Sequence, residues 1–178
     1  VFIASLIAGL AAGNAFAEPL AFRSLNPPVG IGAREPTLFA GENGEVLLGW
    51  TEPHAEGFAV KLAVTEGAGW SAPRTVTVSD SLYVNWADFP SVVQLDGGAV
   101  AAHWLRESDD SGYAYDLNIA GSADEGQTWS APVLPHDDRS TSQHGFASLL
   151  PLSDGSLMSV WLDGRAYDKP LIGSTTTD

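Results

Sequence analysis

The chain contains no cysteine, and it has only 8 lysines and arginines against 22 aspartates and glutamates. Without thiols it can form neither a disulfide nor a thiolate metal site. Its stability must come from a buried core large enough to stand without such staples. A formal net charge of −14 opposes nucleic acid and anionic membranes as partners, because both are held mainly by dense positive charge. A few local arginines can still hold an anionic ligand, so acidity does not fix a substrate. Long apolar runs are scarce too: Val1 to Ala12 falls short of the roughly 20 residues a membrane-spanning helix needs. No stretch is dense enough in Asp and Asn to form a calcium loop. No metal site and no other cofactor is therefore expected.

The short apolar run is followed by Ala15-Phe16-Ala17, an A-x-A pattern that marks a signal-peptide cleavage point. Residues 1–17 are read as a leader whose basic n-region is missing, and residues 18–178 as the mature part. Export to the periplasm or beyond the cell is expected, with no membrane attachment after cleavage.

What the chain does contain is repetition. Trp50, Trp104 and Trp161 lie 54 and 57 residues apart, each ending an apolar run. Each run follows a turn, at Glu42-Asn43-Gly44, Leu95-Asp96-Gly97 and Ser153-Asp154-Gly155, and Asn-Gly or Asp-Gly between apolar runs is a strong hairpin signal. Before each turn stands a third landmark: Pro36-Thr37-Leu38, Pro90-Ser91-Val92 and Ala147-Ser148-Leu149. A fixed period of this size marks a repeat architecture. For the second unit the pattern predicts strands at Ser91 to Gln94, Ala99 to Leu105, Tyr115 to Ser122 and Ala131 to Leu134.

The octapeptide Ser122-Ala123-Asp124-Glu125-Gly126-Gln127-Thr128-Trp129 reads as a tight turn. Gly126 gives backbone freedom, Ser122 and Asp124 clamp backbone amides, and Trp129 plugs its ring between sheets. A degraded copy ends at Trp70-Ser71-Ala72-Pro73, matching Trp129-Ser130-Ala131-Pro132. In its spelling, S-x-D-x-G-x-T-W, the octapeptide resembles the Asp-box, or BNR repeat, of the sialidase-type β-propellers. The resemblance implies an all-β propeller, six-bladed when complete. About three four-stranded blades fit in this chain, whereas closed propellers have about four to eight, so part of a larger ring is expected.

The resemblance also places the octapeptide on the lower face and the starts of the inner strands on the upper rim. Two positions before each landmark stand Arg34, Asp88 and Gly145, with His144 beside the last. The return strands end at Glu52, Arg106 and Asp163, with Arg165 two further on. Convergent polar groups of this kind form the candidate site. By resemblance the protein is a secreted exo-α-sialidase-like glycoside hydrolase acting on anionic sugars. Arg34, in Arg34-Glu35-Pro36, would clasp a sugar carboxylate in bidentate fashion. The family's acid/base aspartate sits on a first-blade loop, but Thr51 to Gly57 offers Glu52, His54 and Glu56 and no aspartate. Asp88, beside Trp86, Phe89 and Pro90, takes the catalytic role, since desolvation raises a carboxyl pKa toward that of a general acid. Glu52, Arg106, His144, Asp163 and Arg165 complete substrate binding.

Plainer readings stand beside these. Arg34 with Asp88, and Glu52 with Arg106, could be ordinary ion pairs. His54 and His136 sit in loops without an evident partner, His103 reads as packed or surface, and Tyr113 and Tyr115 could pack between blades. Ser122 and Asp124 read as structural turn residues. The alternative function is a non-catalytic propeller that binds carbohydrate or protein at its rim, because fold does not fix chemistry.

Overall fold

Each of the three repeating tryptophans lies in the second strand of its own antiparallel sheet and is at most 5% exposed. A computed structural model describes residues 23–110, 112–138, 140–166 and 171–176. The expected leader at residues 1–17 lies outside them. The described residues form strands joined by turns, with short 3-10 segments and no α-helix.

The first sheet runs β1 (Arg34–Ala40), β2 (Val46–His54), β3 (Gly57–Glu66), with β4 (Gly69–Trp70) and β5 (Arg74–Ser79) both pairing with β3. The second is β6 (Ser91–Gln94), β7 (Val100–Glu107), β8 (Tyr115–Ser122), and the third β9 (His144–Pro151), β10 (Leu157–Asp163), β11 (Leu171–Thr176). The hairpin turns fall where the Gly-containing signals stand. Gly44, Gly97 and Gly155 have φ of 79°, 69° and 85°, values that glycine adopts without a Cβ clash.

The expected fourth strand of the second unit is not a strand. Only Val133 pairs, exchanging N–H to carbonyl bonds of 2.8 and 2.9 Å with Ile119. Pro132 and Pro135 bracket it, and proline has no N–H to extend a ladder.

The sheets pack face to face, and β6 lies against β1 on one side and β9 on the other. Side chains alternate across a strand, so β7 serves two interfaces. Val100, Ala102 and Trp104 meet Leu47, Val60 and Leu62 of the first sheet. Ala101 and Leu105 join Leu117, Ile119, Leu157 and Trp161 in a second core. A strand covered on both faces reads as a near-continuous apolar run, and here only His103 interrupts Val100 to Leu105.

The octapeptide folds into a closed polar turn. Ser122 Oγ donates to Asp124 Oδ1 at 2.7 Å and accepts from Gly126 N at 2.8 Å. Thr128 donates to the Asp124 carboxylate from its amide at 2.8 Å and its hydroxyl at 2.6 Å. Trp129 packs into the first-to-second sheet core. Registers Val100↔Ser122 and Glu107↔Tyr115 put this turn at one end of the second sheet and Tyr115 at the other.

Candidate active site

At the end of the sheets away from the octapeptide, β1, β6 and β9 begin and β2, β7 and β10 finish. Two of the inner strands begin with the same irregularity. In the first sheet, Glu35 and Pro36 together face Trp50, and in the third Phe146 and Ala147 face Trp161, two residues against one. Glu35 has φ 57° and Phe146 φ 50°. Left-handed backbone on a non-glycine residue costs about 1–2 kcal/mol, and bulges of this kind re-aim side chains next to active sites. Here the bulge carries Glu35 inward to 5% exposure.

Asp88 arrives from the loop between β5 and β6. The Asn85 side-chain oxygen accepts from the amides of Ala87 and Asp88 at 2.7 and 2.9 Å, which fixes the turn ahead of β6. The Asp88 carboxylate crosses to the third sheet and accepts from Phe146 N at 2.7 Å. Gly145 makes this possible: a Cβ there would stand 2.1 Å from Asp88 Oδ2 and 2.7 Å from the Tyr115 ring. The register position that holds Arg34 and Asp88 in the first two units is thus empty in the third, and Asp88 fills it.

Glu35 and Asp88 line one crevice with Thr51, Tyr83, Pro90 and Trp104. Its volume of about 10 Å³ suits a single water molecule. Burial raises the pKa of both carboxyls. For Glu35, the Thr51 hydroxyl, the Asn85 backbone and the Arg34 charge oppose that rise, and the nearby Asp88 charge adds to it. For Asp88, the Phe146 amide opposes it. Tyr83 and Tyr115 stack beside them with centroids 4.1 Å apart. Burial, with Asp88 and Tyr83, pushes the Tyr115 phenol up to about 12.

The other expected rim residues divide. Arg34 is exposed; its Nε donates to Gly32 O at 3.3 Å and its guanidinium lies 5.3 Å over the Phe58 ring. No ion pair joins it to Asp88 among the described residues. Glu52 and Asp163 share a local device: each accepts from the indole of the tryptophan two residues earlier, Trp50 at 2.9 Å and Trp161 at 3.4 Å. Glu52 also accepts from Gly30 N at 2.8 Å and pairs with Lys61 at 2.9 Å, so the pair with Arg106 does not form. Arg106 instead donates to Ser81 Oγ at 2.8 Å. Arg165 forks onto Asp163 at 2.7–3.0 Å and reaches Asp137 at 2.9 Å.

His144 is fully buried at the start of β9, and His136 stacks on it with centroids 3.9 Å apart and planes 4° from parallel. The reading of His136 as a partnerless loop residue is therefore corrected: the loop folds inward and places it among Asp116, Asp138 and His144. Asp116, His136 and His144 form one set that could hold a metal ion, and Asp138, His144 and Asp163 another. The sequence-based expectation of no metal rested on the lack of a contiguous ligand loop, whereas the fold assembles these sets from separate elements. His103 is buried with Ser91 Oγ 2.7 Å from its Nδ1, and burial holds its pKa down to about 4. His54 stays exposed, and Tyr113 is 74% exposed. Glu35 escaped the sequence reading. Its one signal was an acid directly before the first landmark proline.

A larger groove of about 190 Å³, lined by Arg74, Gln94 and Glu125 among others, lies at the octapeptide end and holds neither raised carboxyl. No family model matches the chain, and no curated protein matches it by sequence. Solved structures do resemble it. An endo-arabinase from Bacteroides thetaiotaomicron superposes with TM-score 0.54 at 16% identity, covering 82% of this chain and 57% of that one. An α-L-arabinofuranosidase from Fusarium graminearum gives 0.53 at 17%, covering 82% and 44%. An α-L-arabinanase from Penicillium chrysogenum gives 0.51 at 13%, covering 80% and 45%. These likenesses show the fold alone: an all-β, propeller-like architecture that the chain shares with those glycosidases. The narrower sialidase type finds no support in these likenesses, and the chain spans about half the length of the structures it matches.

Proposed function

We propose that the complete protein is a glycoside hydrolase in which Asp88 donates a proton to the leaving oxygen and Glu35 is its carboxyl partner. The observation that carries this reading is the buried pair on one crevice, each with a raised pKa, at the rim where the inner strands begin. Two carboxyls flanking the scissile bond are the usual equipment for glycoside hydrolysis. A raised pKa is the direction a general acid requires.

We take the substrate to be a neutral glycan of the arabinan or xylan kind. The fold neighbours named above are arabinan- and arabinoside-acting enzymes. Anionic-sugar cleavage, implied by the octapeptide resemblance, would instead use Arg34 as the carboxylate ligand. Full-length protein assayed on chromogenic arabinofuranosides, xylosides and sialosides separates these. Turnover of a neutral substrate, lost in Asp88→Asn, supports the proposal. Turnover of sialosides alone, lost in Arg34→Ala, supports the anionic reading.

The small crevice favours a second reading, in which the carboxyl pair clasps adjacent sheets and the rim binds glycan without cleaving it. Glycan affinity with no turnover on any of these substrates would identify that case. Export rests on the A-x-A pattern, and mass spectrometry of the secreted protein should find its first residue at Glu18.

A further inference from the structure

The buried histidine pair takes no part in that chemistry. Asp116, second residue of β8, points its Oδ1 between the two rings, 3.5 Å from His136 Nε2 and 3.6 Å from His144 Nδ1. Both nitrogens are buried and neither has a hydrogen-bond partner. Leaving such atoms unpaired out of water is costly. The separations exceed the hydrogen-bond range, yet they fit donors around an ion. With tetrahedral bonds of about 2.0–2.1 Å, ligand atoms stand roughly 3.3–3.4 Å apart.

The far edges of the same rings meet a second carboxylate. Asp138 Oδ1 is hydrogen-bonded with His136 Nδ1 at 3.1 Å and lies 3.0 Å from His144 Nε2 without hydrogen-bond geometry. A carboxylate behind the imidazole is the arrangement that orients metal-ligating histidines. The other possible set is poorer, because Asp163 is already held by the Arg165 fork. An approach route exists as well: Asp116 lines an open groove of about 320 Å³ with Ser81, Arg106 and Asn118.

The geometry points to a divalent transition-metal site made by Asp116, His136 and His144, with Asp138 behind both rings. Two imidazoles and one carboxylate suit zinc and its neighbours, whereas calcium and magnesium take oxygen ligands. The rings now lie face to face and their in-plane lone pairs run side by side, so binding must splay them. Three protein ligands leave a fourth position open. The ion would tie β8 to β9 and to the segment carrying His136, bridging the second and third sheets.

The test is titration of chelator-treated full-length protein with zinc, and separately with calcium, followed by calorimetry and thermal melting. Zinc should bind one ion per chain and, at a hundredfold excess over Kd, raise Tm by about 3–5 °C; calcium should do neither. Asp116→Asn and His136→Gln should each weaken zinc binding at least tenfold, and the imidazole ¹⁵N signals of the wild type should shift on loading. His144 is fully buried, so the first two variants carry the test. Absence of one-to-one zinc binding, zinc affinity unchanged in both variants, or an equal calcium response surviving His136→Gln would each overturn the assignment.

Discussion

The two ends of the sheets treat their carboxylates in opposite ways. At the octapeptide end, Asp124 is half-buried and its carboxylate is hydrogen-bonded through both oxygens. Thr128 and Ser122 hold its carboxyl down at about 2. At the rim, Glu35 and Asp88 are buried, burial raises both pKa values, and Glu35 Oε1 has no hydrogen-bond partner. A turn that satisfies every acceptor is finished as structure. A pair of acids held out of water with spare hydrogen-bonding capacity is poised to exchange protons. The residues most conspicuous in the sequence, Ser122 and Asp124, therefore belong to the end to which the proposed chemistry assigns no role.

The strongest way to break this contrast is to neutralise one acid at each end. Asp88→Asn in the full-length protein should lower turnover by about 10²–10⁴-fold, the usual range for losing a general acid. Asp124→Asn should leave turnover per folded molecule unchanged and lower the melting temperature. Equal losses of turnover would erase the distinction between the ends.

Gly145→Ala sharpens the same point through shape. The new methyl would collide with the Asp88 carboxylate and the Tyr115 ring, and overpacking of this kind costs about 1–3 kcal/mol. Urea denaturation should show that loss, together with a fall in activity. Gly155→Ala, with open space around its Cβ, should show only the smaller strain of a left-handed turn residue and no change in activity.

The smallest effect is in pH dependence, where the ends should differ in sign. The folded pKa of Asp124 lies below its unfolded value, so its contribution is present above about pH 4 and is lost as pH falls toward 2. The raised pKa values of Asp88 and Glu35 act the other way: stability is highest below their unfolded values and declines as pH rises through the folded ones. Urea midpoints measured against pH should show a reduced decline on the rising side in Asp88→Asn and a reduced acid loss in Asp124→Asn. Identical profiles in both variants would contradict the assigned environments.

Much of the fold was legible because its signals are local. The tryptophans at 50, 104 and 161, the Gly-bearing turns and the octapeptide each encode a turn or a strand within a few residues. The rim was legible only in outline, since position along a strand says which end a residue occupies and not what its side chain meets. Glu52 and Asp163 stand where expected, yet each holds an indole two residues back, a relation the Trp-x-acid spelling displays. Glu35 was hidden because a residue before proline normally stays extended, whereas here it takes φ 57° and turns inward. His136 was hidden for a different reason: its partners Asp116 and His144 come from two other elements. The fourth strand of the second sheet fails at Pro132 and Pro135, a local signal that outweighs the repeat.

The buried pair Glu35 and Asp88 is proposed to do acid–base work on a neutral glycan. The most direct test is kcat/KM of the full-length protein on chromogenic arabinofuranosides and xylosides, measured against pH for the wild type and Asp88→Asn. The wild type should show turnover whose alkaline limb reports an acid titrating above the usual carboxylate range, and the variant should lose it. Wild-type turnover that Asp88→Asn leaves intact, or no turnover of these glycans at any pH, would contradict the proposal.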